Sequence, residues 1–195
     1  MTPWFALQTE PKNEKSVERL LSQKGYVCFL PTYRQKRRWS TRTVTLELPL
    51  FPRYVFCQFN SSAFGKAVST RGVLRVVGFG GKPAEIPAEE IKALQLLAQS
   101  DVLREPWAYI PEGTLVQVET GPLAGAHGVV CSTEDKLRLA VSVTLLQRSV
   151  AVQLDENTVL SVIRDPKKGK SVLDDGSDIA LKLIAKSENR PITYQ

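Results

Sequence analysis

Apolar positions divide the chain into two textures. Over residues 1–99 they recur sometimes at every second position and sometimes at every third or fourth, so strands and helices interleave. Trp4 to Gln8 reads as a short apolar strand, ended by Pro11. Asn13 is a good N-cap, with Glu14 in the first turn. Val17, Leu20, Leu21 and Lys24 then fall at helical spacing, and Gly25 stands where a C′ glycine belongs. Tyr26 to Leu30 is a second strand, closed by Pro31. Thr43 to Leu48 alternates and forms a long exposed hairpin with the polar stretch before it. Tyr54 to Phe59 is a strand, and Pro52, which has no N–H to give a sheet, sits at its start. Asn60, Ser61 and Ser62 cap a short helix over Ala63, Phe64, Ala67 and Val68. Thr70-Arg71-Gly72 breaks that helix, and Val73 to Val77 follows as a buried strand. Gly78 to Gly81 reads as a flexible loop. Pro87, Glu89 and Glu90 start a last helix whose inner face is Ile91, Leu94, Leu97 and Ala98.

The second texture begins at Ile110 and is all β. Leu115 to Val118, Gly128 to Cys131, Leu137 to Leu145, Ser149 to Leu154 and Val159 to Val162 are the apolar runs. Gly121-Pro122-Leu123-Ala124-Gly125 and Asp155-Glu156-Asn157 read as turns. Five short strands within about 50 residues suggest a small closed barrel, which leaves no open edge. The fold class is therefore α+β. Domain bounds follow as 1–100, a linker at 101–109 marked by Pro106 and lost periodicity, a barrel at 110–163, and a charged tail at 164–195. Within that tail, Ile179 to Ala185 forms a short helix capped by Ser177 and Asp178.

Composition narrows the function class. The chain has 195 residues, 43% of them hydrophobic, which suffices for a core. No signal peptide or membrane span is visible, so a cytoplasmic location is expected, without membrane contact. Cys28, Cys57 and Cys131 lack a CxxC pair and read as reduced, buried thiols. Metal ligands at useful spacing, a GxSxG elbow and phosphate-cradling glycine motifs are all missing from the sequence. The single histidine, His127, lies next to glycine and reads as a surface residue. A binding protein without catalytic residues, metal or cofactor is the expectation.

Two stretches carry binding chemistry. The net charge is +6, an excess that suits nucleic acid. Tyr33 to Arg42 concentrates Arg34, Lys36, Arg37, Arg38 and Arg42 around Trp39. Such an arm is either a solvated loop or a phosphate-contacting element on which Trp39 stacks a base. Leu48-Pro49-Leu50-Phe51-Pro52-Arg53-Tyr54 holds a Leu-Phe pair between two stiffening prolines. Phe51 is either core or a rigid anchor for a partner.

Several stretches in order resemble one family, the NusG-type transcription elongation factors. Trp4-Phe5-Ala6-Leu7-Gln8, Pro49 to Phe56, and Arg71-Gly72-Val73 with Val77-Gly78-Phe79 are similar to that family's N-terminal (NGN) domain. Gly113 to Val130 resembles a KOW motif, and Leu139 to Asp155 the rest of the family's C-terminal barrel. The resemblance covers about residues 3–162. It implies an NGN-type α/β sandwich with an antiparallel sheet, linked to an SH3-like five-stranded β-barrel. It also implies a monomer that binds RNA polymerase at the clamp helices of its largest subunit and suppresses pausing or termination. Carried onto this chain, the polymerase-binding set is Trp4, Phe5, Leu50, Phe51, Pro52 and Tyr54, of which Trp4, Phe51 and Tyr54 form an apolar, aromatic patch exposed in the free protein. The Thr70-Arg71-Gly72-Val73 run and the Pro49 to Pro52 run resemble the specialised RfaH- and UpxY-like antiterminators, which makes Arg71 a contact for the non-template DNA strand. The barrel of the family recruits a second partner, Rho or a small-subunit ribosomal protein, through the loop that corresponds to Leu145, Leu146, Gln147 and Arg148. Housekeeping members carry Phe-Gly at Leu146-Gln147, a departure that weighs against Rho. The alternative is an RNA-binding or ribosome-associated KOW protein that needs no polymerase.

Overall fold

A computed structural model describes residues 2–39, 42–60, 63–100, 102, 104–110, 113–133, 136–154 and 158–164. The interleaved strands and helices of the N-terminal half build one four-stranded antiparallel sheet. Its strands are β1 (Trp4–Thr9), β2 (Val27–Phe29), β5 (Tyr54–Gln58) and β6 (Val73–Val76), in the order β2-β5-β1-β6. Helix α1 (Glu14–Gln23) joins β1 to β2, and Gly25 follows it with φ +86°. Asn13 occupies the N-cap position, but its side chain donates to Glu10 Oε2 (2.7 Å) instead of capping the helix.

The pleat sorts the side chains of this sheet. Trp4, Ala6, Phe29 and Phe56 face one way; Phe5, Leu7, Cys28, Val55 and Cys57 face the other. The second face packs with Val17 and Leu21 of α1 and Ala67 of α2 (Phe64–Val68) into one core cluster, where Phe5 stacks on Phe59 at 4.5 Å. Ser61 and Ser62, expected to cap α2, lie outside the described residues.

Between β2 and β5 the chain leaves the sheet as a two-stranded ribbon, β3 (Thr32–Trp39) and β4 (Arg42–Pro49), paired in register from Thr32↔Pro49 to Trp39↔Arg42. Eight residues at about 3.3 Å each give it a reach of about 26 Å. Its base is tied down: Thr32 Oγ1 donates to Glu47 Oε1 (2.8 Å), and Lys15 of α1 pairs with Glu47 Oε2 (2.6 Å). Lys15 foremost, and then Thr32, hold the Glu47 carboxyl below its ordinary value.

Gly78 to Gly81, expected to be a flexible loop, instead turns a small hairpin between β7 (Gly78–Phe79) and β8 (Lys82–Pro83). Gly80 and Gly81 both take positive φ, which a tight two-residue turn demands.

Helix α3 (Ala88–Gln99) follows, and with it the chain passes to the second sheet. The C-terminal sheet is antiparallel, and among the described residues it holds the five expected strands and one more. They are β9 (Arg104–Ala108), β10 (Leu115–Val118), β11 (His127–Thr133), β12 (Lys136–Val143), β13 (Arg148–Gln153) and β14 (Leu160–Arg164). The ladder runs β14-β10-β11-β12-β13-β9, with β14 and β9 at its ends. The additional strand, β9, comes from the stretch read as linker. Pro106 suggests a break, yet it lies opposite Val150 on an end strand, where a missing N–H is tolerated. Arg138 on β12 stacks over Trp107 of β9 at 4.7 Å and pairs with Glu105, which fixes this edge.

The two halves share a core. Trp4, Leu50, Phe51, Phe56 and Ile86 belong to the same buried cluster as Ile91, Leu94 and Leu97 of α3 and Val116, Leu139, Val141 and Val150 of the second sheet. Helix α3 packs against β11 and β12. The turn Asp155-Glu156-Asn157 and the tail after Arg164, with its expected helix over Ile179 to Ala185, lie outside the described residues.

Candidate functional site

The Leu50 to Tyr54 segment is a bend between β4 and β5. Arg53 sits at its apex with φ +71°, a left-handed conformation that costs a non-glycine residue about 1–2 kcal/mol. Three groups hold it there. The Arg53 carbonyl accepts the Thr9 N–H at 2.9 Å, its own N–H donates to Glu14 Oε1 at 2.8 Å, and Tyr54 N–H closes on the Phe51 carbonyl at 3.1 Å. Glu14, expected only to complement the helix dipole, is buried for this purpose. The bend turns Leu50 and Phe51 inward and leaves the Pro52 ring and the Arg53 side chain exposed.

This placement corrects the expectation of an open aromatic patch. Phe51 is 1% exposed and meets Phe56 edge-to-face at 5.4 Å. Trp4 is 7% exposed, because β1 continues through a bridge to Ile86 in front of α3. Phe5 is separated from both, since a single residue step moves it to the opposite face of the sheet, against Phe59. Tyr54 is half-buried.

The loop assigned to a second partner lies against this same segment. A 3-10 turn over Thr144–Leu146 ends at Gln147 with φ +48°, and Arg148 opens β13. Leu145 and Leu146 pack on the shared core. Arg148 Nη1 donates to the Pro52 carbonyl at 3.3 Å, and its guanidinium lies 5.3 Å from the centroid of the Tyr54 ring. On the other side of the turn, Thr144 donates its N–H to Glu90 Oε2 (3.1 Å) and its hydroxyl to Glu90 Oε1 (2.7 Å). Burial raises the Glu90 carboxyl above its ordinary value, against the lowering effect of those two bonds. Two candidate protein-binding sets, distant in sequence, therefore cover one another.

The basic arm is wholly accessible. Arg34, Lys36, Arg37, Arg38, Trp39 and Arg42 are exposed to solvent along the ribbon, Trp39 to 59%. The register divides them by face. Arg34, Lys36 and Arg38 share one side with Thr43, Thr45 and Glu47; Arg37, Trp39 and Arg42 share the other with Val44 and Leu46. The first side is a row of cations, and the second combines cations with an aromatic ring. Arg71 is exposed in the turn before β6, at the edge of the sheet opposite β2, and does not join the ribbon.

Sequence reasoning missed Arg53, Glu90 and the exposed pair Leu74 and Phe79. Nothing in residue type marks a positive φ at arginine or a partner 54 positions away for Glu90. Among the described residues no group of three or more His, Cys, Asp and Glu side chains is placed to hold a metal, and no helix is long and apolar enough to cross a membrane. His127 is half-buried beside Gln117 (3.2 Å) at the start of β11.

Residues 2–95 match the family model described as transcription termination factor NusG. A transcription termination/antitermination protein NusG from Yersinia pestis is 36% identical over 121 residues, and one from Escherichia coli strain K12 is 35% identical over the same length. Each match covers 58% of this chain and 65% of the relative, so the chain spans a little under two thirds of those proteins. A solved structure, described as domain interaction in Thermotoga maritima NusG, is similar over 78% of this chain and 93% of that one, at 21% identity and a TM-score of 0.49.

Proposed function

We propose that the chain is a transcription elongation and antitermination factor of the NusG type, whose family model residues 2–95 match. Its N-terminal domain, residues 1–100, binds RNA polymerase through the Leu50 to Tyr54 bend with Trp4, on the clamp helices of the largest subunit. The exposed ribbon and Arg71 contact nucleic acid, the ribbon through phosphates on its cationic side and through Trp39 stacking on the other. The C-terminal domain, residues 110–163, recruits a second protein through Leu145 to Arg148. No bond is made or broken; a factor seated on the polymerase acts by holding the elongating conformation.

One observation carries this reading: Arg148 is bonded to Pro52 and stacked on Tyr54. The two surfaces that must meet different partners are each other's cover in the isolated chain. Polymerase binding through the bend therefore requires the Leu145 to Arg148 loop to leave, and the same step frees that loop for its own partner. The apparent affinity for polymerase is lowered by the fraction of molecules that are closed.

The test is binding of the full chain to core RNA polymerase, wild type beside Arg148→Ala combined with Glu90→Ala. The variant lacks both clasps and binds more tightly than the wild type, and it suppresses pausing at lower concentration. Failure of both proteins to bind polymerase overturns the reading. Salt-sensitive binding to RNA without polymerase, by a protein that ignores polymerase, would establish the RNA-binding alternative.

A further inference from the structure

Cys28 on β2 and Cys57 on β5 are 29 positions apart in sequence and directly opposite in the ladder. Their Sγ atoms are 3.6 Å apart. The three thiols are free, in keeping with the sequence reading, and the fold brings two of them together. Opposed residues of an antiparallel pair hold their Cβ atoms about 4.5–5.5 Å apart, and a disulfide spans about 3.5–4.5 Å, so an approach of about 1 Å closes it. Strand β2 has three residues and is an edge strand, with no strand paired on its outer side among the described residues.

We propose that Cys28 and Cys57 are a thiol oxidation site, converted to an intrachain disulfide by exchange with a low-molecular-weight disulfide such as oxidised glutathione. Cys28 is partly exposed and Cys57 buried, so Cys28 is the sulfur that attacks. Its thiolate bonds to one sulfur of the reagent, the reagent's S–S bond breaks, and the first thiolate leaves. Cys57 then attacks the Cys28 sulfur, the mixed disulfide breaks, and the second thiolate leaves. The two protons of the protein thiols end on the two released thiols, and two electrons pass from the protein to the reagent.

The electrostatics follow the same order. The hydrogen bond between the two sulfurs is the main influence lowering the Cys28 thiol, and the same bond, followed by burial and the Cys28 charge, pushes the Cys57 thiol up. Capping Cys28 in the mixed disulfide removes both the charge and the bond to it. Burial alone then opposes ionisation of Cys57, at the moment it must attack. The bond would close a ring from residue 28 to residue 57 that contains the whole β3–β4 ribbon and the Leu50 to Tyr54 bend. The sulfurs themselves lie on the α1 side of the sheet, away from Trp4 and Phe56. Oxidation thus pins the base of the ribbon on the face of the sheet opposite Trp4 and Phe56.

The experiment treats the reduced full chain with oxidised glutathione and counts thiols after denaturation, with a peptide map of the product. In the wild type the three thiols fall to one, the mass drops by two hydrogens, and the map joins Cys28 to Cys57. Cys131→Ser also loses two thiols. Cys57→Ser stops at a glutathione adduct on Cys28, and Cys28→Ser keeps Cys57 reduced. The oxidised wild type unfolds at higher urea, and added dithiothreitol reverses the shift. A lasting glutathione adduct on wild-type Cys28, reaction confined to Cys131, or a full set of thiols after treatment overturns the proposal. Should a serine variant not fold, the wild-type peptide map decides alone.

Discussion

Phe51→Ala tests the central feature of the structure, the seating of the second sheet over the bend. Phe51 is 1% exposed and edge-to-face with Phe56. Burying such a side chain is worth about 3 kcal/mol. The aromatic pair adds about 1 kcal/mol. A residual void of about 50 Å³, at about 24 cal/mol per Å³, costs about 1 kcal/mol more. The expected loss lies in the range of about 3–5 kcal/mol found for buried Phe→Ala changes. That is a large share of the roughly 5–15 kcal/mol that separates folded from unfolded domains. Urea unfolding of the full chain, followed by tryptophan fluorescence, reads it as a lower midpoint at unchanged slope. A loss below about 1 kcal/mol at unchanged slope would refute the reasoning, because it is what an exposed surface position shows. It would mean that the bend faces solvent in the free protein and that Arg148 does not hold the sheets together.

Other outcomes follow from single groups. Because burial raises the Glu90 carboxyl, the folded chain keeps that proton to higher pH than the unfolded chain, whose value is near 4.5. The contribution of Glu90 to stability is therefore present below that value and is lost as pH rises through the raised one; Glu90→Gln abolishes this slope in urea midpoints measured across the window. Trp39→Ala leaves the urea midpoint unchanged, since the ring is exposed, but weakens single-stranded nucleic-acid binding by about 1–3 kcal/mol in fluorescence anisotropy titrations. Lys36→Gln with Arg38→Gln flattens the salt dependence of that binding, by about 0.7–0.9 in the log–log slope for each phosphate that is no longer neutralised. Arg53→Gly releases the left-handed strain, offset in part by the entropy of glycine, and raises stability by up to about 1 kcal/mol in the same urea assay.

Local pattern carried most of the N-terminal half. The strand at Trp4, the helix ending before Gly25, the strand after Pro52 and the helix after Pro87 all rest on signals within a few residues: period, proline and glycine. The ribbon was equally legible, because its charge and alternation are properties of adjacent positions. Two features escaped because they depend on the other side of the molecule. Pro106 breaks a strand only if its N–H is needed, and β9 lies at the end of the sheet, where it is not. The glycines at 80 and 81 signal a turn as readily as a loop, and only the pairing of Gly78 with Pro83 makes them a hairpin.

Residue type and near spacing are enough to say where most strands and helices fall, where the cations cluster, and which stretches resemble a transcription factor. What those segments do to one another was settled by packing between distant parts of the chain. A step of one residue sent Phe5 to the helix side of the sheet and Trp4 to the other, because strand side chains alternate. Two cysteines became neighbours because β2 and β5 pair. The anchor residue Phe51 became core because it packs edge-to-face on Phe56 within a cluster that also takes in residues of α3 and the second sheet. Such contacts belong to surfaces made by distant segments, and no local rule of spacing or propensity encodes them.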